Sequence, residues 1–118
     1  MANLPSYPTA VRVQFDALRS LAYTGISGTY AKIGTAFGYP ARMIKIANNT
    51  NEDVIISFDG TNDNDYIPAN GFVLYDYCAN MTEMGGYFFQ PLGTQVYVKE
   101  ASSGPSSGSV YVTMIYAL

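Results

Sequence analysis

Met43-Ile44-Lys45-Ile46-Ala47-Asn48-Asn49-Thr50-Asn51-Glu52-Asp53-Val54-Ile55-Ile56-Ser57-Phe58 holds two apolar segments around a polar link. Side chains of an extended chain alternate between faces, so Ile44 and Ile46 share one face of residues 43–47. Val54, Ile56 and Phe58 share one face of residues 54–58 in the same way. The link over 48–53 is built from Asn, Thr and Asp, which favour turns. The stretch therefore predicts two strands joined as a β-hairpin.

The same period continues on both sides. Downstream, Asp59-Gly60 opens a polar loop to Asp65, and Tyr66-Ile67-Pro68 reads as a short edge piece because Pro68 has no N–H for a ladder. Strands are predicted over 72–77, 87–90, 95–99 and 109–116, separated by Gly85-Gly86, Leu92-Gly93-Thr94 and the Ser/Gly-rich run 102–108. Upstream, residues 11–15 alternate as a strand, and 16–21 read as one helical turn capped by Asp16. Residues 25–38 are rich in Gly, Ser and Thr, with a short strand over 30–33. Residues 1–10 contain Pro5 and Pro8 and little periodicity, and read as an extended N-terminal arm.

About eight short strands at this spacing, without a long helical period, predict an all-β domain. The expected architecture is an antiparallel β-sandwich or small barrel, a jelly roll among the options, over 11–118. The predicted core is Ile44, Ile46, Val54, Ile56, Phe58, Phe72, Leu74, Val96, Val98, Val110, Val112 and Met114. The last strand differs from the others. Val110, Val112, Met114 and Tyr116 form one face, and Tyr111, Thr113, Ile115 and Ala117 form a second, mostly apolar one. A strand apolar on both sides is covered on both sides. The second cover is either the N-terminal segment or another subunit. Leu4, Tyr7, Tyr111 and Ile115 are the interface residues this reading selects.

Composition narrows the function. The chain has 118 residues, 48% hydrophobic and 13% charged, which suits one folded domain and argues against disorder. Its 11 tyrosines fit strands, and they equally fit surfaces that meet other proteins. Six Lys and Arg residues are scattered and the net charge is -3, so no basic stripe is available for nucleic acid. The first residues lack a basic and an apolar region of the kind a signal peptide carries, and no apolar run is long enough to span a membrane. The single cysteine, Cys78, sits among Tyr75, Tyr77 and Ala79 and reads as a small buried hydrophobe.

Enzyme chemistry is poorly supplied. The chain has no histidine, so the commonest general base and metal ligand is missing. No catalytic residue and no cofactor is expected. The sharpest local motif is Asp59-Gly60-Thr61-Asn62-Asp63-Asn64-Asp65, whose oxygen-bearing side chains recur at alternate positions. Calcium favours such oxygens on a loop, which makes Asp59, Asp63 and Asp65 the candidate metal ligands. The glycine is misplaced for an EF-hand and no closing glutamate follows, so a solvated turn is the preferred reading and no metal is expected.

Several runs resemble small accessory virion proteins of tailed bacteriophages: Asn48-Asn49-Thr50-Asn51-Glu52-Asp53-Val54, Ser57-Phe58-Asp59-Gly60, Leu74-Tyr75-Asp76, Gly93-Thr94-Gln95-Val96-Tyr97-Val98-Lys99 and Gly108-Ser109-Val110-Tyr111-Val112. Ser27-Gly28-Thr29-Tyr30 and Ile33-Gly34-Thr35 fit the same pattern. The resemblance implies a non-enzymatic β-sandwich that binds a capsid or tail lattice in many symmetric copies. Capsid decoration is preferred over a head–tail or tail-ring role. The implied partners are copies of itself and other virion proteins, with neither nucleic acid nor membrane. The implied location is the virion, after synthesis in the host bacterial cytoplasm. The alternative is a carbohydrate- or calcium-binding β module.

Overall fold

Nine strands in two antiparallel sheets form a β-sandwich in the computed structural model, which describes residues 12–77 and 89–117. They are β1 (Val13–Phe15), β2 (Arg19–Ala22), β3 (Ala31–Lys32), β4 (Ala41–Thr50), β5 (Val54–Ser57), β6 (Asp65–Ile67), β7 (Phe72–Asp76), β8 (Tyr97–Glu100) and β9 (Gly108–Ala117). The large sheet runs in the order β1, β9, β4, β7, with β2 pairing β9 beside β1. The small sheet runs β3, β8, β5, β6. Of the sandwich and the small barrel, the chain adopts the sandwich. Leu4, Tyr7, the rest of the N-terminal arm and Cys78 lie outside the described residues, as do Tyr87 and Phe88 of the expected strand over 87–90. Of that strand's described residues, Gln90 makes a single bridge to Ala41.

The core lies between the sheets. Ile44, Ile46, Val110, Val112 and Met114 project from the large sheet, and Val54, Ile56, Ile67 and Val98 from the small one, all buried. Ile33, Phe37 and Val96 close one part of it. There the backbone of 33–37 pairs irregularly with 93–96, through Ile33 N–H to Val96 O at 2.9 Å and Phe37 N–H to Thr94 O at 2.8 Å. β4 also solves a parity problem. Ala41 and Ile44 both point inward although they are an odd number of residues apart. The pairing with β9 shifts between Ala41 and Met43, so Arg42 is the extra residue of a β-bulge that resets the alternation.

Four expectations are corrected. Residues 43–58 are not a hairpin: β4 pairs with β9 and β7, whereas β5 pairs with β8 and β6. β4 continues through Asn48-Asn49-Thr50, and the chain then crosses from one sheet to the other. Asn48 and Thr50 are buried, which a turn reading does not anticipate. The Asn48 side-chain amide donates to Glu52 O at 2.8 Å, Ile67 O at 3.1 Å and Pro68 O at 3.2 Å. Its carbonyl oxygen accepts from Thr50 Oγ1 at 2.6 Å. Turn-forming side chains thus satisfy the backbone of the crossover instead of reversing the strand.

The second correction concerns β7. Phe72 and Leu74 face outward, and Val73 and Tyr75 pack on the core. Both parities of this strand are apolar, and Tyr75 decides between them. Its ring meets Phe58 edge-on at 5.7 Å and its hydroxyl reaches the Asp65 carboxylate. Phe58 itself is only half-buried against the core. Third, residues 16–21 contain no helical turn. Residues 19–22 are β2, because the ten-residue β9 offers its free edge to Arg19–Ala22 and a ladder there outweighs an isolated turn. Fourth, the predicted strand over 95–99 is shifted, its ladder running over Tyr97–Glu100.

Arg19 is the other element that fixes the architecture. Its guanidinium donates through Nε to Thr35 O at 2.7 Å, and its terminal nitrogens donate to Ala36 O at 3.3 Å, Ala17 O at 3.3 Å and Asp16 Oδ2 at 3.0 Å. It lies over the Phe37 ring at 5.0 Å from the centroid. A side chain of the large sheet thereby pins the loop that leads out of β3 in the small sheet. The loop approaches so closely that a Cβ at Gly34 would sit 2.8 Å from Arg19 Cβ, and Gly34 adopts φ of 68°.

Candidate assembly surface

Residues directly opposite in an antiparallel ladder share a face of the sheet. Across the outer face of the large sheet, Phe15 opposes Ile115, which opposes Met43. In the next outward row Thr113, Lys45 and Leu74 are neighbours, and in the next Ser20, Tyr111, Ala47 and Phe72. Val13 opposes Ala117 at one corner. Tyr111 and Ile115, selected from the sequence as interface residues, therefore sit in the middle of one continuous face. The partner strands extend it on both sides.

This face is largely apolar, half-buried along its middle and open along both sides, with Asp76 opposite Met43 at its edge. Val13 is 59% exposed, Phe15 68%, Phe72 65% and Leu74 50%. The one lysine within it, Lys45, lays its ammonium over the Phe72 ring, 5.4 Å from its centre. The sequence signal for the face was confined to the second apolar side of β9. Phe15, Met43, Ala47, Phe72 and Leu74 join it through pairings between distant segments, which no local pattern reveals.

The outer face of the small sheet differs in chemistry. Ile55, Tyr66, Tyr97 and Lys99 occupy it by register, with tyrosine hydroxyls bonded to carboxylates. Tyr30 donates to Asp63, and Tyr66 donates to Asp53. Lys99 Nζ stands 3.1 Å from Asp63 and 4.7 Å from the Tyr30 ring centre. A shallow depression is lined by Ile55, Asp63, Asn64, Asp65 and Tyr66.

The candidate metal ligands do not converge. Asp59 Oδ1 accepts from Ser57 Oγ, Thr61 N–H and Asn62 N–H, each at 2.8 Å, and its Oδ2 accepts from Asn62 Nδ2 at 2.8 Å. Those backbone donors first, then the Asn62 and Ser57 side chains, hold its carboxyl well below the usual carboxylate range. Asp63 faces Tyr30 and Lys99, and its pKa is lowered first by the tyrosine hydroxyl and then by the ammonium. Asp65 accepts from Tyr75 and from the Tyr66 N–H. The three carboxylates are thus directed to three separate sets of protein donors, and the loop is organised as an Asx turn. Among the described residues no group of three or more acidic or cysteine side chains is gathered around a common point. No helix among them is long and apolar enough to cross a membrane.

No protein-family model matches this chain, and no curated protein matches it.

Proposed function

We propose that this protein is a non-enzymatic structural component of a tailed-bacteriophage particle, acting in many symmetric copies on a capsid or tail lattice. The observation that carries the assembly part is the exposed apolar outer face of the large sheet, centred on Tyr111, Ile115, Phe72 and Leu74. Proteins that work alone keep such patches small, whereas interfaces concentrate aromatic and aliphatic side chains at their centres. The placement within a phage particle, and the preference for capsid decoration, rest on the sequence resemblance. Repetition on a symmetric lattice adds avidity to a modest single contact.

The test has two arms. Light scattering of the purified chain over a range of concentrations is expected to show self-association. Quantitative mass spectrometry of purified particles is expected to find the chain at hundreds of copies for decoration, or about six to twelve for a ring of closed symmetry. A chain that stays monomeric at high concentration and is absent from particles overturns the reading.

The carbohydrate- or calcium-binding alternative draws on Tyr66 and the acidic loop. The commitment of Asp59 to its own loop favours the assembly reading over calcium binding. Calorimetric titration with calcium and with glycans separates the two, and a saturable heat would support the alternative.

A further inference from the structure

We propose that Asn70-Gly71, in the exposed turn between β6 and β7, is a site of spontaneous covalent modification, where the asparagine cyclises onto the main chain and reopens as aspartate and isoaspartate. Pro68-Ala69-Asn70-Gly71 closes a β-turn, with Gly71 N–H donating to Pro68 O at 2.9 Å. Asn70 takes φ of 60° there, a left-handed conformation that asparagine tolerates better than most residues. Its side chain is exposed, and among the described residues no hydrogen bond holds it. The sequence contains no other Asn-Gly pair. The turn itself demands the glycine, because a Cβ at Gly71 would sit 3.0 Å from both Pro68 Cγ and Pro68 O. Glycine also presents the least hindered amide to the side chain before it.

Water is the only co-reactant. The Gly71 amide nitrogen attacks Asn70 Cγ, the N–Cγ bond forms, the Cγ–Nδ2 bond breaks, and ammonia leaves with the Gly71 proton. Water then opens the ring. Cleavage between the nitrogen and Cγ gives aspartate. Cleavage at the Asn70 main-chain carbonyl gives isoaspartate, whose backbone runs through Cβ and Cγ. Nothing is oxidised or reduced. The bond from Gly71 N–H to Pro68 O must open before the attack, and a hydrogen bond in an exposed turn opens locally without unfolding the sheets.

Other positions with related chemistry are held. Asp59-Gly60 is able to form the same ring, but the Asp59 carboxylate accepts hydrogen bonds from Ser57, Thr61 and Asn62, and an ionised carboxylate is a poor electrophile. Asn48, Asn51, Asn62 and Asn64 each have their side-chain amide in a hydrogen bond. Asn49 is exposed, but the amide after it, Thr50 N–H, donates to Asn48 Oδ1 at 3.1 Å and belongs to a β-branched residue. The place of Asn70 gives its modification a structural consequence. Pro68 O accepts from Asn48 Nδ2 at 3.2 Å, and Gly71 O accepts from Asn48 N–H at 2.8 Å. The extra main-chain carbon of isoaspartate shifts these two acceptors relative to each other, so the exposed turn acts on the buried crossover. Either product also adds a carboxylate close in sequence to Phe72.

The experiment ages the folded full-length chain at mildly alkaline pH in water labelled with heavy oxygen, and follows it by peptide mapping with mass spectrometry. Conversion at Asn70 is expected to be at least tenfold faster than at Asn49, with label incorporated and isoaspartate in excess of aspartate. Asn70→Gly keeps the left-handed turn but lacks the reacting side chain, and is expected to abolish the product while its circular dichroism stays that of the parent. The isoaspartate form, separated by ion exchange, is expected to melt several degrees below both the parent and freshly prepared Asn70→Asp, which has the charge without the extra carbon. Conversion at Asn70 that is no faster than at Asn49, or that occurs only in urea, overturns the site. Aspartate as the sole product overturns the cyclic route. An isoaspartate form that melts with the parent overturns the coupling to Asn48.

Discussion

The side-chain amide of Asn48, on the inner side of β4, donates to the main-chain carbonyl of Ile67 at the end of β6, 3.1 Å away and in the other sheet. One buried amide thus joins the two layers where the chain passes between them. Asn48→Ala leaves the Glu52, Ile67 and Pro68 carbonyls and the Thr50 hydroxyl without this partner. At ~1–3 kcal/mol for each buried group left unsatisfied, a loss of at least about 2 kcal/mol is expected. Asn48→Asp should be worse, since a carboxylate would face three carbonyl oxygens. Urea denaturation followed by circular dichroism measures both, and a variant within about 0.5 kcal/mol of the parent contradicts the account.

Gly108 begins β9 at φ of 88°, and a Cβ there would lie 2.0 Å from the Asn49 carbonyl oxygen. Gly93 also has positive φ, at 93°, but nothing lies within 4 Å of its Cβ position. The pair separates backbone conformation from collision. Gly93→Ala is expected to cost ~1–2 kcal/mol for the left-handed backbone alone. Gly108→Ala is expected to cost clearly more, or to prevent folding, because the strand register must shift to relieve the clash. Equal thermal shifts for the two would show that the close approach is unimportant.

Arg19→Lys tests the fork. Lysine keeps the charge but cannot reach Thr35, Ala36, Ala17 and Asp16 with a planar array of donors, nor lie flat over Phe37. A loss of roughly 1–3 kcal/mol is expected from the unpaired carbonyls. Hydrogen exchange should show the change concentrated in residues 33–37. Protection there equal to the parent's would assign the latch to charge alone.

The pH dependence follows from two sets of groups. Asp16, Asp53, Asp59 and Asp63 are held below their ordinary values by hydrogen bonds: Asp16 first by the Ala17 N–H, Asp53 by Tyr66, Asp59 by the Asn62 N–H and Asp63 by Tyr30. Their contribution is complete above the unfolded carboxylate value of about 3.9 and is lost as pH falls through the lower folded values. On the alkaline side, Tyr30 is pushed up to about 12 by burial and by Asp63, Tyr75 is raised by burial and Asp65, and Tyr66 by its bond to Asp53. Their contribution is complete below the unfolded tyrosine value of about 10 and is lost as pH rises through the folded values. With no histidine, the melting temperature should be nearly flat from about pH 5 to 8. Calorimetric melts check the plateau, and ultraviolet titration checks that a late class of tyrosines ionises only as the fold is lost. A stability step near pH 6 would contradict the assignment.

Legibility in the sequence followed the locality of the forces. Ile44, Ile46, Val54, Ile56, Val96, Val98, Val110, Val112 and Met114 are buried as their alternation predicts, since one side of each segment is plainly the more apolar. The rule failed in β7, where Phe72 and Leu74 compete with Val73 and Tyr75 and the choice lies with Phe58 and Asp65, reached only in the folded chain. It failed at Asn48 and Thr50 because the same side chains that make turns also satisfy a buried crossover. Tyr111 and Ile115 marked the candidate surface, but its width depends on β1, β4 and β7 lying beside β9, a matter of topology.

The position of β9 governs when the fold can appear. The strand pairs with β1, β2 and β4, so until Gly108–Ala117 has been made the large sheet is limited to the β4–β7 pair. While synthesis is in progress, the early strands must wait through most of the chain for their partner, and their apolar residues stay accessible to chaperones or to one another. Pairings between such distant segments make for slow folding. A ribosome-bound chain stopped before Gly108 would hold the strands of the small sheet and the β4–β7 pair, yet leave β1 and β2 without their partner. Competence to assemble through the outer face of the large sheet would therefore be gained only once β9 has been made.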